Sequence, residues 1–110
     1  MINLPPNPGE NGQNGFGDRF IDRLDAIAHG RVQGVFFRAT VRDLAHLLSI
    51  TGTVRNLRDG TVEIVAFGPR EKLEKLLAKL EQTPPPAHVT QIDAHWSQSE
   101  VHPNTFQISY

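Results

Sequence analysis

LDAIAHGRVQGVFFRATVRDLAHLL, residues 24–48, changes its hydrophobic period in mid-stretch, and that change decides the fold. Leu24, Ala26 and Ala28 alternate with Asp25, Ile27 and His29, the period of a half-buried strand, which is predicted over 22–29. Farther on, Phe37, Val41, Leu44, Ala45 and Leu48 fall on one face of a helix, with Arg38, Arg42, Asp43 and His46 around the rest. Between the two lies Gly30-Arg31-Val32-Gln33-Gly34-Val35-Phe36, a turn carrying two glycines. A strand feeds directly into a helix.

Working outward, residues 52–57 and 61–67 predict a hairpin. Asp59-Gly60 is a strong turn signal, and Thr61-Val62-Glu63-Ile64-Val65-Ala66-Phe67 is rich in β-branched residues. Gly68-Pro69 opens a second helix, with proline expected at its first position. Leu73, Leu76, Leu77 and Leu80 form its buried stripe, and Pro84-Pro85-Pro86 stops it. Ile92, Ala94 and Trp96 mark a late strand, and Phe106, Ile108 and Tyr110 alternate in a final short one. The order is βαββαβ with one further β segment. Each helix has a single apolar stripe, so both must cover one face of one sheet. The economical α+β solution is the ferredoxin-like split βαβ sandwich, two helices on one face of a mainly antiparallel sheet. That fold hosts many functions, so the site must decide.

Residues 1–18 have another texture, dominated by Asn, Pro and Gly. Such a stretch buries too little apolar area to offset its ordering entropy, so a flexible tail is expected there, followed by one domain over 19–110. The chain of 110 residues has no cysteine, which excludes disulfides, thiolate metal sites and a cysteine nucleophile. Its 11 Lys and Arg nearly balance 12 Asp and Glu, for a net charge of −1, which disfavours a nucleic-acid binder. No apolar run approaches the roughly 18 residues of a membrane span. The N-terminus shows no basic segment followed by an apolar one, the pattern of a secretory leader. The expectation is therefore a cytoplasmic monomer with neither nucleic-acid nor membrane partners. His88, His95 and His102 recur without an HxxxH or HExxH pattern and read as surface histidines, so no metal or cofactor is expected. Lys72, Lys75 and Lys79, interleaved with Glu71, Glu74 and Glu81, form a solvated helix face. Trp96 and Tyr110 read as core or edge residues rather than stacking platforms.

The turn at 30–38 has the elements of an anion cradle. Backbone N–H groups at a helix N-terminus are unpaired and carry the positive end of the dipole. Gly30 and Gly34 let the backbone bend toward a common point, and Arg38 adds a bidentate guanidinium. No Gly-Lys-Ser/Thr follows, so this is not a Walker loop. Read alone, the spacing favours a plain strand–helix turn with a solvated arginine. Asn56 alone is likewise an asparagine ahead of a hairpin turn. Arg31, Arg55 and Arg58 either raise the positive potential around the loop or are solvated strand and turn charges. His29, just ahead of the loop, is placed to tune binding near about pH 6.5.

Gly-Arg-Val-Gln-Gly-Val-Phe-Phe-Arg at 30–38 resembles the phosphate-loop signature of the acylphosphatases. Gly52-Thr53-Val54-Arg55-Asn56, followed by Asp59-Gly60-Thr61-Val62 and Gly68, is similar to that family's second signature, at the family's separation from Arg38. The resemblance runs from about Leu24 to Tyr110 and leaves out the tail. It implies the same ferredoxin-like fold. It also implies a cofactor-free enzyme that hydrolyses the carboxyl–phosphate bond of small acyl phosphates to carboxylate and inorganic phosphate. In that resemblance Arg38 and Asn56 are the catalytic pair. Arg38 and the loop amides of Gln33, Gly34, Val35, Phe36 and Phe37 bind the phosphoryl group, and Asn56 holds the attacking water. Two motifs in register favour this over the plain readings of either alone. Thr53 and Ala28 depart from the family, which usually has an aromatic residue at the first and a larger aliphatic one at the second; both read as packing positions. Acylphosphatase-like domains also open the carbamoyltransferases of hydrogenase maturation. The alternative is therefore a non-catalytic phosphate-binding or carbamoyl-phosphate-handling module, and the closing strand near 110 favours the free-standing enzyme.

Overall fold

The computed structural model describes residues 19–110, and the tail expected over 1–18 lies outside the described residues. Along the chain run β1 (Ile21–Arg31), α1 (Phe37–Leu47), β2 (Thr51–Asn56), β3 (Val62–Gly68), α2 (Arg70–Glu81), β4 (His88–Ser99) and β5 (Phe106–Ile108). The strands form one sheet in the order β4-β1-β3-β2-β5. β1 is antiparallel to β3 and β4, β2 is antiparallel to β3, and β5 joins β2 as a parallel edge strand. This is the ferredoxin-like arrangement expected from the element order, extended by β5.

The alternation read in the sequence sets which side is covered. Leu24, Ala26 and Ala28 are fully buried and lie opposite Ala66, Ile64 and Val62 of β3. Residues directly opposite share a face of the sheet. Val54 opposite Ile64 and Asn56 opposite Val62 therefore continue the same face onto β2. Phe37, Val41 and Ala45 of α1 and Leu73, Leu76 and Leu80 of α2 pack into that core. Burying each large apolar side chain contributes roughly 1.5–3 kcal/mol. Asn56 thus belongs to the helix-covered side.

Three local expectations change. Gly30 is part of β1 rather than of the turn, because β1 shifts register against β4 between His29 and Gly30. Its φ is 116°, and a Cβ there would run into the His88 carbonyl oxygen. Pro69 precedes α2 instead of starting it: its ψ of 140° is extended, and its carbonyl oxygen accepts from the Lys72 and Leu73 N–H groups. Trp96 and Tyr110 do serve as platforms, for arginines. The Arg70 guanidinium lies 3.6 Å from the Trp96 ring centre and that of Arg38 lies 5.1 Å from the Tyr110 ring centre. Trp96 stands on edge strand β4 and packs against the core, and Tyr110 follows edge strand β5, so the edge placement holds, while Arg70 and Arg38 each belong to the first turn of a helix. Of the two departures from the family pattern, Ala28 is a core position, whereas Thr53 lies half-buried on the opposite face beside Val65.

Candidate active site

Strand polarity brings the predicted residues to one end of the molecule. β1 and β2 are both antiparallel to β3, so their C-terminal ends, Arg31 and Asn56, point the same way. α1 begins at Phe37, a short loop after β1, so its N-terminus lies at that end too. β5 is parallel to β2 and delivers Ser109 and Tyr110 there as well. The predicted cradle, Gln33 to Arg38, therefore meets the end of β2 that carries Asn56.

The loop is anchored by its apolar residues and curled by its positive φ angles. Val32 and Phe37 are buried at its two ends. Gly34 (φ 75°) and Phe36 (φ 61°) both occupy the left-handed region. That conformation costs glycine little but strains a bulky side chain, and Phe36 holds it with its ring 85% exposed. No side chain caps α1. Among the described residues, none of the backbone N–H groups from Gln33 to Ala39 has a protein acceptor. Unpaired donors at a helix N-terminus form an anion site. Arg38, half-buried beside them, joins no ion pair among the described residues.

The Gln33 side chain ties this loop to the β2–β3 hairpin. Its carboxamide nitrogen donates to the carbonyl oxygens of Leu57 and Thr61, each at 2.8 Å. Inside the hairpin, the Thr61 hydroxyl and N–H donate to one Asp59 carboxylate oxygen at 2.6 and 3.0 Å. Those two bonds hold the Asp59 carboxyl below its ordinary value, helped by the nearby His29 charge.

The surrounding charges divide. Arg55 pairs with Glu63 at 2.7 Å, so its charge is compensated. Arg31 and Arg58 are exposed and join no ion pair among the described residues, so they add positive potential at this end. His29 lies on the face away from the helices, 2.9 Å from Asp93. Gln91 and then His29 keep the Asp93 carboxyl low. No group of three His, Cys, Asp or Glu side chains converges among the described residues. A cavity of about 370 Å³ at the far end of α1, lined by His46, Ser49, Ile50 and Phe106 among others, includes no residue of the loop. Two site features carried no local signal: the Tyr110 ring against Arg38, and the Gln33 side chain turned to the hairpin.

The sequence profile of the acylphosphatase family matches residues 24–108. The chain is 41% identical to an acylphosphatase from Pelotomaculum thermopropionicum, over 80% of this chain and 96% of the relative. It superimposes on the crystal structure of the Bacillus subtilis acylphosphatase with a TM-score of 0.77 at 38% identity, covering 81% of this chain and 99% of that one. It is also similar to HypF of T. kodakarensis, with a TM-score of 0.71 at 29% identity, covering 81% of this chain but 12% of that one.

Proposed function

This chain belongs to the acylphosphatase family, and from that premise we propose that it hydrolyses small acyl phosphates where the 33–38 loop meets Asn56. One observation carries the assignment of the site. Among the described residues, the N–H groups from Gln33 to Ala39 have no protein acceptor and Arg38 beside them has no carboxylate partner. In this reading the amides of Gln33, Gly34, Val35, Phe36 and Phe37, with the Arg38 guanidinium, hold the phosphoryl oxygens. Their fixed donors stabilise the charge that spreads over those oxygens in a loose transition state.

Asn56 orients the water. A carboxamide oxygen accepts a hydrogen bond from it but has no basic site near neutral pH, so it positions the water without deprotonating it. The water oxygen bonds to phosphorus as the bond from phosphorus to the acyl oxygen breaks. The carboxylate leaves with that electron pair, and the water's proton passes to a phosphoryl oxygen. Because a carboxylate is a weak base, its departure needs no general acid. Phosphate monoesters, with far more basic leaving groups, are expected to be poor substrates. All these groups lie in one chain, which supports a monomeric catalyst, and the cytoplasm is the setting proposed for it.

A second reading, a non-catalytic phosphate-binding or carbamoyl-phosphate-handling module, draws on the likeness to a small part of HypF. Hydrolysis of benzoyl phosphate in ¹⁸O-labelled water separates the two. Label recovered in inorganic phosphate is the expected result. Label in benzoate would move the attack to the acyl carbon, and phosphate binding without turnover would favour the module.

A further inference from the structure

We propose that the Gln33 side chain is a positioning residue: it locks the phosphate loop to the β2–β3 hairpin and so sets the placement of the cradle relative to the water at Asn56. The inference rests on the site reading above and adds to it a role that the loop amides do not cover. Among the described residues, the two Gln33 bonds, to the Leu57 and Thr61 carbonyl oxygens, are the hydrogen bonds that join residues 31–38 to residues 56–61.

The hairpin does not need Gln33 in order to close. The Leu57 carbonyl already accepts from the Gly60 N–H at 3.2 Å, and the Thr61 carbonyl accepts from the Leu57 N–H at 2.9 Å. Asp59 holds Thr61 from the other side. Removing the Gln33 donors therefore leaves neither carbonyl unpaired, which spares the turn the penalty of an unsatisfied buried group. The loop is secured on its own account by buried Val32 and Phe37. What the carboxamide adds is the relation between two units that each stand without it.

Chain position explains why that relation reaches the chemistry. Asn56 is the residue before Leu57, and Gln33 is the residue before the amides of Gly34 to Phe37. The in-line approach of water to phosphorus demands about 3–3.5 Å between reacting atoms, and a displacement of about 1 Å costs on the order of 100-fold in rate. Glutamine suits the task because one neutral nitrogen carries two donors, one for each carbonyl. Methionine has the same length and no donor, and asparagine is a methylene shorter.

Gln33→Met and Gln33→Asn test the role in the full chain, with circular dichroism and the urea midpoint as fold controls. Both variants are expected to lower kcat for benzoyl phosphate roughly 10- to 100-fold. Inhibition by inorganic phosphate, which reads the cradle alone, is expected to stay within about twofold. In an Asn56→Ala background, Gln33→Met should lower the residual kcat by less than about twofold, because the two residues act on the same water. A full kcat in the folded variants overturns the proposal. So does phosphate inhibition that weakens in step with kcat, or two substitutions whose effects multiply. A fully active Asn56→Ala enzyme would instead sink the site reading itself.

Discussion

The Arg38 guanidinium lies 5.1 Å from the centre of the Tyr110 ring, across the sequence but at the same end of the sheet. β5 makes the contact possible. It runs parallel to β2 with Ile108 opposite Val54, and the Ser109 N–H donates to the Val54 carbonyl at 2.8 Å. Continuing that register sets Tyr110 level with Asn56. The tyrosine is 96% exposed, so burial does not account for its placement. An aromatic face steadies a guanidinium without consuming its N–H donors, whereas a carboxylate would occupy and neutralise them.

Removing that ring should therefore weaken substrate binding more than chemistry. Tyr110→Ala is expected to raise KM and the phosphate inhibition constant roughly 2- to 5-fold, the range of an exposed cation–π contact. Tyr110→Phe should stay close to the parent. Steady-state kinetics on benzoyl phosphate read both, and an unchanged KM in the alanine variant would leave the contact without a role.

Phe36 sets stability against binding. It precedes α1 at φ 61° with no side-chain cap. Phe36→Asp puts a residue that tolerates this backbone, and a negative charge, at the positive end of the helix, for a gain of roughly 0.3–1 kcal/mol. The same carboxylate competes with the phosphoryl group for the cradle. A higher urea midpoint together with a large rise in KM is expected; a stabilised variant with normal KM would argue against a cradle here.

The glycines with positive φ divide by what a Cβ would meet. At Gly30 and Gly52 it would strike the backbone carbonyl oxygens of His88 and Val65, whereas at Gly60 it meets open space. Gly30→Ala and Gly52→Ala are expected to destabilise by more than about 2 kcal/mol. Gly60→Ala should cost only about 1–2 kcal/mol, for the left-handed backbone alone. Urea denaturation ranks them, and equal losses at all three would show that the close carbonyls do not matter.

Acid should loosen the hairpin in a defined direction. The Thr61 hydroxyl and then its N–H lower the Asp59 pKa in the folded chain. A depressed carboxylate contributes stability that is fully present above its unfolded value of about 3.9 and is lost as pH falls through the folded value. Asp59→Asn should therefore be less stable than the parent near neutrality, with the gap closing below about pH 4. Urea midpoints measured across that range would reveal a constant gap if the ionised carboxylate were irrelevant.

Much of this was legible because local period and tertiary role coincide. Leu24, Ala26 and Ala28 alternate and are buried, and the α1 and α2 stripes face the core as their spacing predicts. Arg38 and Asn56 could be proposed because each sits in a motif that can be read along the chain. What escaped depends on pairing between distant segments. The continuation of β1 through Gly30 to Arg31 depends on a register shift against β4, which no residue near Gly30 reveals. The apolar alternation through Phe106 and Ile108 does not say that β5 lies parallel to β2, yet that polarity is what brings Tyr110 to Arg38. Gln33 was counted for its amide, while its side chain serves a hairpin across the site.

The central claim is that Arg38 and Asn56 perform the hydrolysis, and its most direct test is turnover of benzoyl phosphate with EDTA present. The parent, Arg38→Ala and Asn56→Ala chains would be compared, with each fold verified by circular dichroism. The account predicts an active parent and a loss of on the order of 100-fold or more in kcat/KM for either folded variant. A folded Arg38→Ala or Asn56→Ala chain that keeps the parent's kcat/KM would contradict it.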